Sequence, residues 1–127
     1  MRLSSITAGV GLALLTIGGA SALPKPYAHD TLTLLLVAIA AIYVGFAVSD
    51  GRPQAIVTQS AVALIFVFIG VISLQGTPFL LAVGYFAHGL WDWLHHRRYL
   101  DTHVVTWWPP FCVIYDWIVA GFILLWW

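Results

Sequence analysis

Charged residues are scarce in this chain, and that scarcity limits the kind of protein it can be. Only 8% of the 127 residues are Asp, Glu, Lys or Arg, whereas soluble domains carry roughly 25%. Five basic residues balance five acidic ones, so the formal net charge is zero. Because no basic surface is available to attract nucleic acid, we expect no nucleic-acid partner.

Cysteine is almost absent as well. Cys112 is the only one, which excludes an internal disulfide and any zinc or iron–sulfur centre built on several cysteines. The sequence also lacks a glycine-rich phosphate loop, a serine nucleophile elbow and a Cys-x-x-Cys-His haem attachment motif. The residues left for chemistry are histidine and aspartate.

Hydrophobic residues are abundant, at 61% of the chain, and the mean hydropathy is +0.95. A helix needs about 20 mainly apolar residues to cross the hydrocarbon core of a membrane. Five segments come close to this length, and each break between them contains proline. The pattern predicts an all-α fold, a single polytopic membrane domain (1–127) with five transmembrane helices, at residues 3–23, 31–49, 55–74, 79–99 and 111–127.

The first segment has a second interpretation. Met1-Arg2, the apolar run and Ala20-Ser-Ala22 together resemble a signal peptide with a small-residue cleavage site. Cleavage would leave four transmembrane helices. We expect instead that the segment is retained as the first helix of the bundle.

Basic residues are distributed unevenly between the two ends of the predicted helices. Lys25 falls on one side, and all the arginines fall on the other: Arg2, Arg52, Arg97 and Arg98. The positive-inside rule then predicts a cytoplasmic N-terminus and an external C-terminus. We expect the bacterial inner membrane as the location.

Polar residues of the fourth segment share one helix face. At 100° per residue they fall within an arc of roughly 100°; they are Tyr85, His88, Asp92, His95, His96 and Tyr99. A charged side chain at the centre of a membrane helix costs about 3 kcal/mol or more. Such a residue needs a partner, water or a metal, so the face indicates a functional site.

Depth along the helices supports the same site. Asp92 in the fourth segment and Asp116 in the fifth both lie about 8 Å from the cytoplasmic ends of their helices. Gln59 and Tyr43 have a similar depth in the third and second segments. The sequence therefore predicts a polar layer in the cytoplasmic third of the bundle.

Metal binding is the sharpest interpretation of this layer. Imidazole and carboxylate groups three or four residues apart on a helix point towards one place, which makes His88, Asp92 and His95 candidate ligands for iron or zinc. Asp116 and His96 are candidates for further ligands or for catalytic acid and base groups. Three aromatic residues are candidates for a cofactor-binding or substrate-binding pocket: Tyr85, Trp91 and Trp93. Two alternatives are a structural ion pair between helices and a proton relay.

Two blocks of sequence carry a resemblance. Residues 87–96, with His88-Gly-Leu-Trp-Asp92, and residues 108–116, with Pro-Pro-Phe-Cys112, look like a signature of small bacterial multi-pass membrane proteins. Residues 92–96 are also similar to one histidine box of membrane di-iron hydroxylases and desaturases, normally His-x-x-His-His. The His-Gly-x-x-Asp element is similar to one in membrane carotene-cleaving oxygenases. These resemblances imply a membrane bundle with metal chemistry and name no reaction.

The leading functional hypothesis is a metal-dependent enzyme acting on a lipid or isoprenoid within the membrane. Lipid is an expected partner in any case. One rival hypothesis is a non-catalytic subunit or assembly factor of a larger membrane complex. A 14.0 kDa chain with short loops suits that role. This hypothesis implies a membrane-protein partner or a homo-oligomer. The other rival is a proton or ion path through His88, Asp92 and Asp116.

Overall fold

The computed structural model describes residues 1–127 and contains five α-helices and no strand. The helices are α1 (Leu3–Ser21), α2 (Lys25–Asp50), α3 (Pro53–Gln75), α4 (Pro78–His96) and α5 (Trp108–Trp126). The predicted all-α architecture is confirmed. Four of them, α1, α2, α3 and α5, are long and apolar enough to cross a membrane. α4 is as long as α1, at 19 residues, but its polar face lowers its hydropathy.

Proline positions explain where the helices begin. Pro26, Pro53 and Pro78 each lie in the first turn of a helix, where the missing backbone N–H would have had no helical partner. α2 therefore begins at Lys25, earlier than the predicted Thr31. These prolines thus lie within the first turns of the helices, and not only in the breaks between them.

The end of α4 also differs from the prediction. The helix stops at His96 because Arg98 adopts a left-handed backbone conformation, with φ of 57°. The N–H of Arg98 donates to the carbonyl of His95, and the N–H of Tyr99 donates to that of Leu94, both at 3.0 Å. This is the hydrogen-bond pattern of a Schellman motif. Tyr99 consequently lies beyond the helix and does not share its polar face.

The five helices pack into a closed bundle. Each contacts the next along the chain, α1 also packs against α5, and α2 touches α4 across the middle. The connection of residues 97–107 and the turn of residues 51–52 meet at one end, which we call the loop face. There the Arg52 guanidinium donates to the carbonyl of Asp101, and the N–H of His103 donates to the Asp50 carboxylate at 2.7 Å.

The opposite end is closed by contacts of its own. Lys25 Nζ donates to the carbonyl of Trp126 at 3.0 Å, and the ring of His29 is hydrogen-bonded to the hydroxyl of Ser73 at 2.8 Å. Lys25 thus lies at the end opposite to the loop face. Arg52, Arg97 and Arg98 lie at the loop face. The predicted separation of lysine from arginine is present in the fold.

The interior combines apolar residues, from alanine to tyrosine, with a set of buried polar ones. Many large apolar side chains, Leu15, Leu34 and Leu125 among them, are instead exposed on the outside of the bundle, as expected of a surface that faces lipid. The buried polar residues are Ser5, Thr33, Gln59, Ser73, His88, Asp92, His95 and Asp116. Four of them, Gln59, His88, Asp92 and Asp116, are among the most completely buried side chains.

Close packing of α1 on α5 yields a first prediction. A Cβ on Gly9 would lie 2.6 Å from the carbonyl oxygen of Phe111 and 3.2 Å from Cβ of Ile114. Since backbone cannot move aside cheaply, Gly9→Ala should lower the free energy of unfolding in detergent by about 1 to 3 kcal/mol. Gly11→Ala is the matched control, because nothing lies within 4 Å of that position. Equal stability of the two variants would contradict this packing.

Candidate metal centre

His88 lies at the centre of the bundle between two carboxylates. Its side chain and those of Asp92 and Asp116 are all 0% exposed. His88 Nδ1 lies 2.7 Å from Asp116 Oδ2, in a hydrogen bond that joins α4 to α5. It also lies 3.0 Å from Asp92 Oδ2, one turn further along α4, but without hydrogen-bond geometry. One imidazole nitrogen therefore faces two carboxylate oxygens.

Two more helices complete the surroundings. The Tyr43 hydroxyl on α2 donates to Asp92 Oδ1 at 2.5 Å. The Phe66 ring on α3 packs edge-on against the His88 ring, with the ring centres 4.9 Å apart. Side chains of four helices thus enclose the group and separate it from lipid.

Several atoms of this group have no hydrogen-bond partner in the protein. They are His88 Nε2, Asp92 Oδ2 and Asp116 Oδ1, all buried. A buried polar atom without a partner costs about 1 to 3 kcal/mol, and more when it is charged. The protein alone therefore leaves three buried polar atoms on neighbouring side chains without a hydrogen bond.

Metal coordination would supply a partner for the carboxylate oxygens among these atoms. His88 Nδ1, and not the unpartnered Nε2, is the ring nitrogen that faces the two carboxylates. One potential ligand atom from each of His88, Asp92 and Asp116 lies within 4.8 Å of the others. Imidazole nitrogen and carboxylate oxygen are ligands for zinc and for iron. Two ionised carboxylates and a neutral imidazole carry a charge of −2, which a divalent cation would neutralise. Donor type, spacing and charge all fit one divalent metal ion.

His95 lies beside this group in a hydrogen-bond network of its own. The Trp91 indole N–H donates to Gln59 Oε1 at 3.2 Å, which leaves the amide nitrogen of Gln59 as the donor to His95 Nε2, at 2.9 Å. The same nitrogen donates to the hydroxyl of Thr102 at 3.0 Å. His95 Nδ1 contacts the carbonyl of Trp91 at 2.9 Å. This pattern corresponds to a neutral imidazole with its proton on Nδ1.

The structure therefore brings together two of the three predicted ligands and separates the third from them. His88 and Asp92 converge with Asp116, which the sequence placed as an additional ligand or a catalytic group. His95 packs on Tyr43, with ring centres 4.5 Å apart, but both of its ring nitrogens are already engaged. His96 is half-buried at the loop face, in the wall of a separate cavity.

The three predicted pocket residues have different surroundings. Tyr85 is buried one turn before His88, and its hydroxyl donates to the carbonyl of Leu32 at 2.6 Å. Trp91 is half-buried and anchors Gln59. Trp93 lies on the outside of the bundle beneath Arg97, whose guanidinium is 5.8 Å from the ring centre.

Residues with important contacts were missing from the predicted site. Tyr43 and Gln59 had been placed at the right depth, but the sequence assigned neither of them a contact. No sequence feature indicated that Phe66 contacts the site, because nothing distinguishes one apolar ring from the others in an apolar helix. Cys112 is buried on α5, one turn before Asp116, as expected for a small hydrophobic residue.

Comparison of the chain with protein-family models, curated proteins and solved structures finds no match. The geometry of the site is therefore what indicates its chemistry.

The contact between Tyr43 and Asp92 gives a second prediction. Tyr43→Phe keeps the ring and removes the donor, leaving Asp92 Oδ1 without a partner. We expect the free energy of unfolding in detergent to fall by about 1 to 3 kcal/mol. Tyr27→Phe is the control, because Tyr27 is 64% exposed. If Tyr43→Phe is no less stable than this control, the hydrogen bond does not stabilise the fold.

Proposed function

We propose that this protein is an integral membrane protein that binds one divalent transition metal ion inside its helix bundle. His88, Asp92 and Asp116 are the proposed ligands. The observation that carries the proposal is their convergence: three ligand-type side chains, all 0% exposed, place ligand atoms within 4.8 Å of one another. Zinc and iron are the metals that suit this donor set.

Charge balance supports a cation over a purely structural contact. Two buried carboxylates repel each other, and the single His88 Nδ1 can donate one proton between them. Neutrality without a metal requires two added protons, either on both aspartates or on one aspartate and the imidazole. A divalent cation achieves neutrality with both aspartates ionised and His88 neutral, and it also supplies a partner for unsatisfied carboxylate oxygens.

Three protein ligands leave coordination positions free, as in catalytic zinc sites. When bound there, the metal would supply Lewis-acid activation of water or of a substrate oxygen. The protein would exclude bulk water from it through Tyr43 and Phe66. Asp116 is the proposed acid or base as well as a ligand, because a carboxylate that coordinates through one oxygen keeps the other free, and its Oδ1 has no protein partner.

The proposed substrate class is a lipid or isoprenoid. An apolar groove of about 360 Å³ runs between α4 and α5 on the lipid-facing side, with Phe86 and Trp117 in its walls. Trp117 follows Asp116 in the chain and packs closely against Gly89, the residue after His88. An apolar chain in this groove would lie next to the helix backbones that carry two of the ligands.

The proposed location is the bacterial inner membrane, with the loop face in the cytoplasm. All four arginines are assigned to that end by the alternation of the helices, and lysine lies at the other. This distribution is the one that the positive-inside rule associates with a cytoplasmic face.

Metal content provides the direct test. Purified protein incubated with Zn²⁺ or Fe²⁺ and then dialysed should retain about one ion per chain, measured by inductively coupled plasma mass spectrometry. The double variant His88→Ala/Asp92→Ala removes two proposed ligands, so its metal affinity should fall by more than about 100-fold. Loss of an outer-shell partner alone costs roughly 10-fold to 100-fold. His103→Ala should retain the ion, because that side chain is 85% exposed at the loop face.

Two outcomes would count against the metal proposal. One is a wild-type protein that holds no stoichiometric ion while remaining folded by circular dichroism. The other is equal loss of metal in the His103→Ala control, which would mean that binding takes place at exposed histidines.

A proton path is the second candidate function, favoured by the continuous contacts from Tyr43 to Asp92, then to His88 and Asp116. Titratable groups in mutual contact inside a membrane protein are typical of proton relays. In liposomes with a chelator present, the wild type should then conduct protons down a pH gradient. Asp92→Asn should abolish the flux, read with a pH-sensitive dye, and His103→Ala should not. Absence of wild-type flux would eliminate this candidate.

A further inference from the structure

The loop face contains a polar cavity that is distinct from the buried group. Its volume is about 690 Å³, within the range of about 300 to 1,000 Å³ typical of small-molecule sites. It lies between the end of α4 and the connection of residues 97–107, and only two of its ten lining residues are hydrophobic. None of the three proposed metal ligands lines it.

Arg98 is the unusual residue in the wall of this cavity. Its φ of 57° is left-handed, a conformation that glycine or asparagine usually supplies at the end of a helix. An arginine here is strained, and such strain is characteristic of positions kept for function. The guanidinium also forms no hydrogen bond or ion pair with the protein. Asp50, one of two acidic residues at this end, is bound by Arg52 and His103.

Four of the other lining residues have side chains that can donate hydrogen bonds. His96, His103 and the hydroxyls of Thr102 and Thr106 accompany Arg98. A donor-rich wall fits a ligand rich in acceptor oxygens, and the planar fork of a guanidinium matches phosphate oxygens in pairs. The chemistry of this part of the cavity points to a phosphate ester.

Asp101 adds a fixed negative charge to the same cavity. Its carboxylate forms no ion pair with Arg98, and its backbone carbonyl is held by the Arg52 guanidinium. Two opposite charges that line one cavity without pairing suit a ligand that carries both signs. Exposed Tyr99 and Trp107 flank this region, as aromatic residues do where a bundle meets the lipid headgroups.

We propose that the loop-face cavity binds a zwitterionic headgroup, a phosphate ester with a neighbouring ammonium group. Arg98 binds the phosphate and Asp101 binds the ammonium. Two sources share this chemistry: a membrane lipid such as phosphatidylethanolamine and a soluble phosphoamine such as phosphoethanolamine. The proposal does not depend on metal binding at His88.

The chain supplies a matched pair of arginines for the test. Dissociation constants of the full-length protein in detergent are measured by native mass spectrometry with short-chain phosphatidylethanolamine, phosphatidylglycerol and free phosphoethanolamine. Arg98→Gln should weaken phosphatidylethanolamine binding by about tenfold or more, the worth of a lost charged hydrogen bond. Arg97→Gln should leave it unchanged, because Arg97 lies over Trp93 and outside the cavity.

Two further variants separate charge recognition from folding. Asp101→Asn should remove the preference for phosphatidylethanolamine over phosphatidylglycerol while keeping phosphate affinity. Arg98→Gly should lose binding like Arg98→Gln but melt at the same or a higher temperature, since glycine adopts the left-handed conformation without strain.

Binding of the lipid but not of free phosphoethanolamine identifies the membrane as the source, and equal binding of both identifies the soluble compound as sufficient. Three results overturn the proposal: no binding of either by the wild type, equal loss in Arg97→Gln and Arg98→Gln, or no wild-type preference for the zwitterionic lipid.

Discussion

The rest of the bundle depends on one buried contact, the approach of His88 to Asp92 and Asp116. Ionisable groups in a low-dielectric interior must find partners close by, because each isolated charge is costly. α5 packs closely on α4 at Gly89, where a Cβ would lie 2.4 Å from Nε1 of the Trp117 indole. The glycine next to His88 therefore leaves room for the Trp117 indole, beside the residue that carries the second carboxylate.

A second layer connects this contact to the loop face. Thr102 in the connection between α4 and α5 is hydrogen-bonded to Gln59, which holds His95, and the His95 ring packs on Tyr43. Tyr43 in turn donates to Asp92. The position of this connection is thus linked to the buried group through a short series of polar contacts and ring packing. His95 belongs both to this series and to the wall of the loop-face cavity.

Helical geometry accounts for what could be predicted about the site. His88 and Asp92 are four residues apart, so a single α-helix brings them together, and counting from the helix ends placed Asp116 at the same depth. The same counting grouped His95 with them, since it projects near His88 when viewed along the helix. His95 lies two turns further along, at about 1.5 Å per residue, and meets Gln59 instead. Tyr99 was grouped wrongly because nothing local signals that an arginine will adopt a left-handed conformation and end the helix.

The sequence by itself determined the all-α class, the membrane character and the helix that carries the polar face. Those properties follow from composition and from the period of the helix, which are local. Only the tertiary structure decided which polar groups meet: Asp116 with His88, Tyr43 with Asp92, and Gln59 with His95. Each of these contacts joins different helices, so it depends on their rotation and spacing. Rotation and spacing are set by packing at residues such as Gly89, across the whole bundle, and no local pattern contains them.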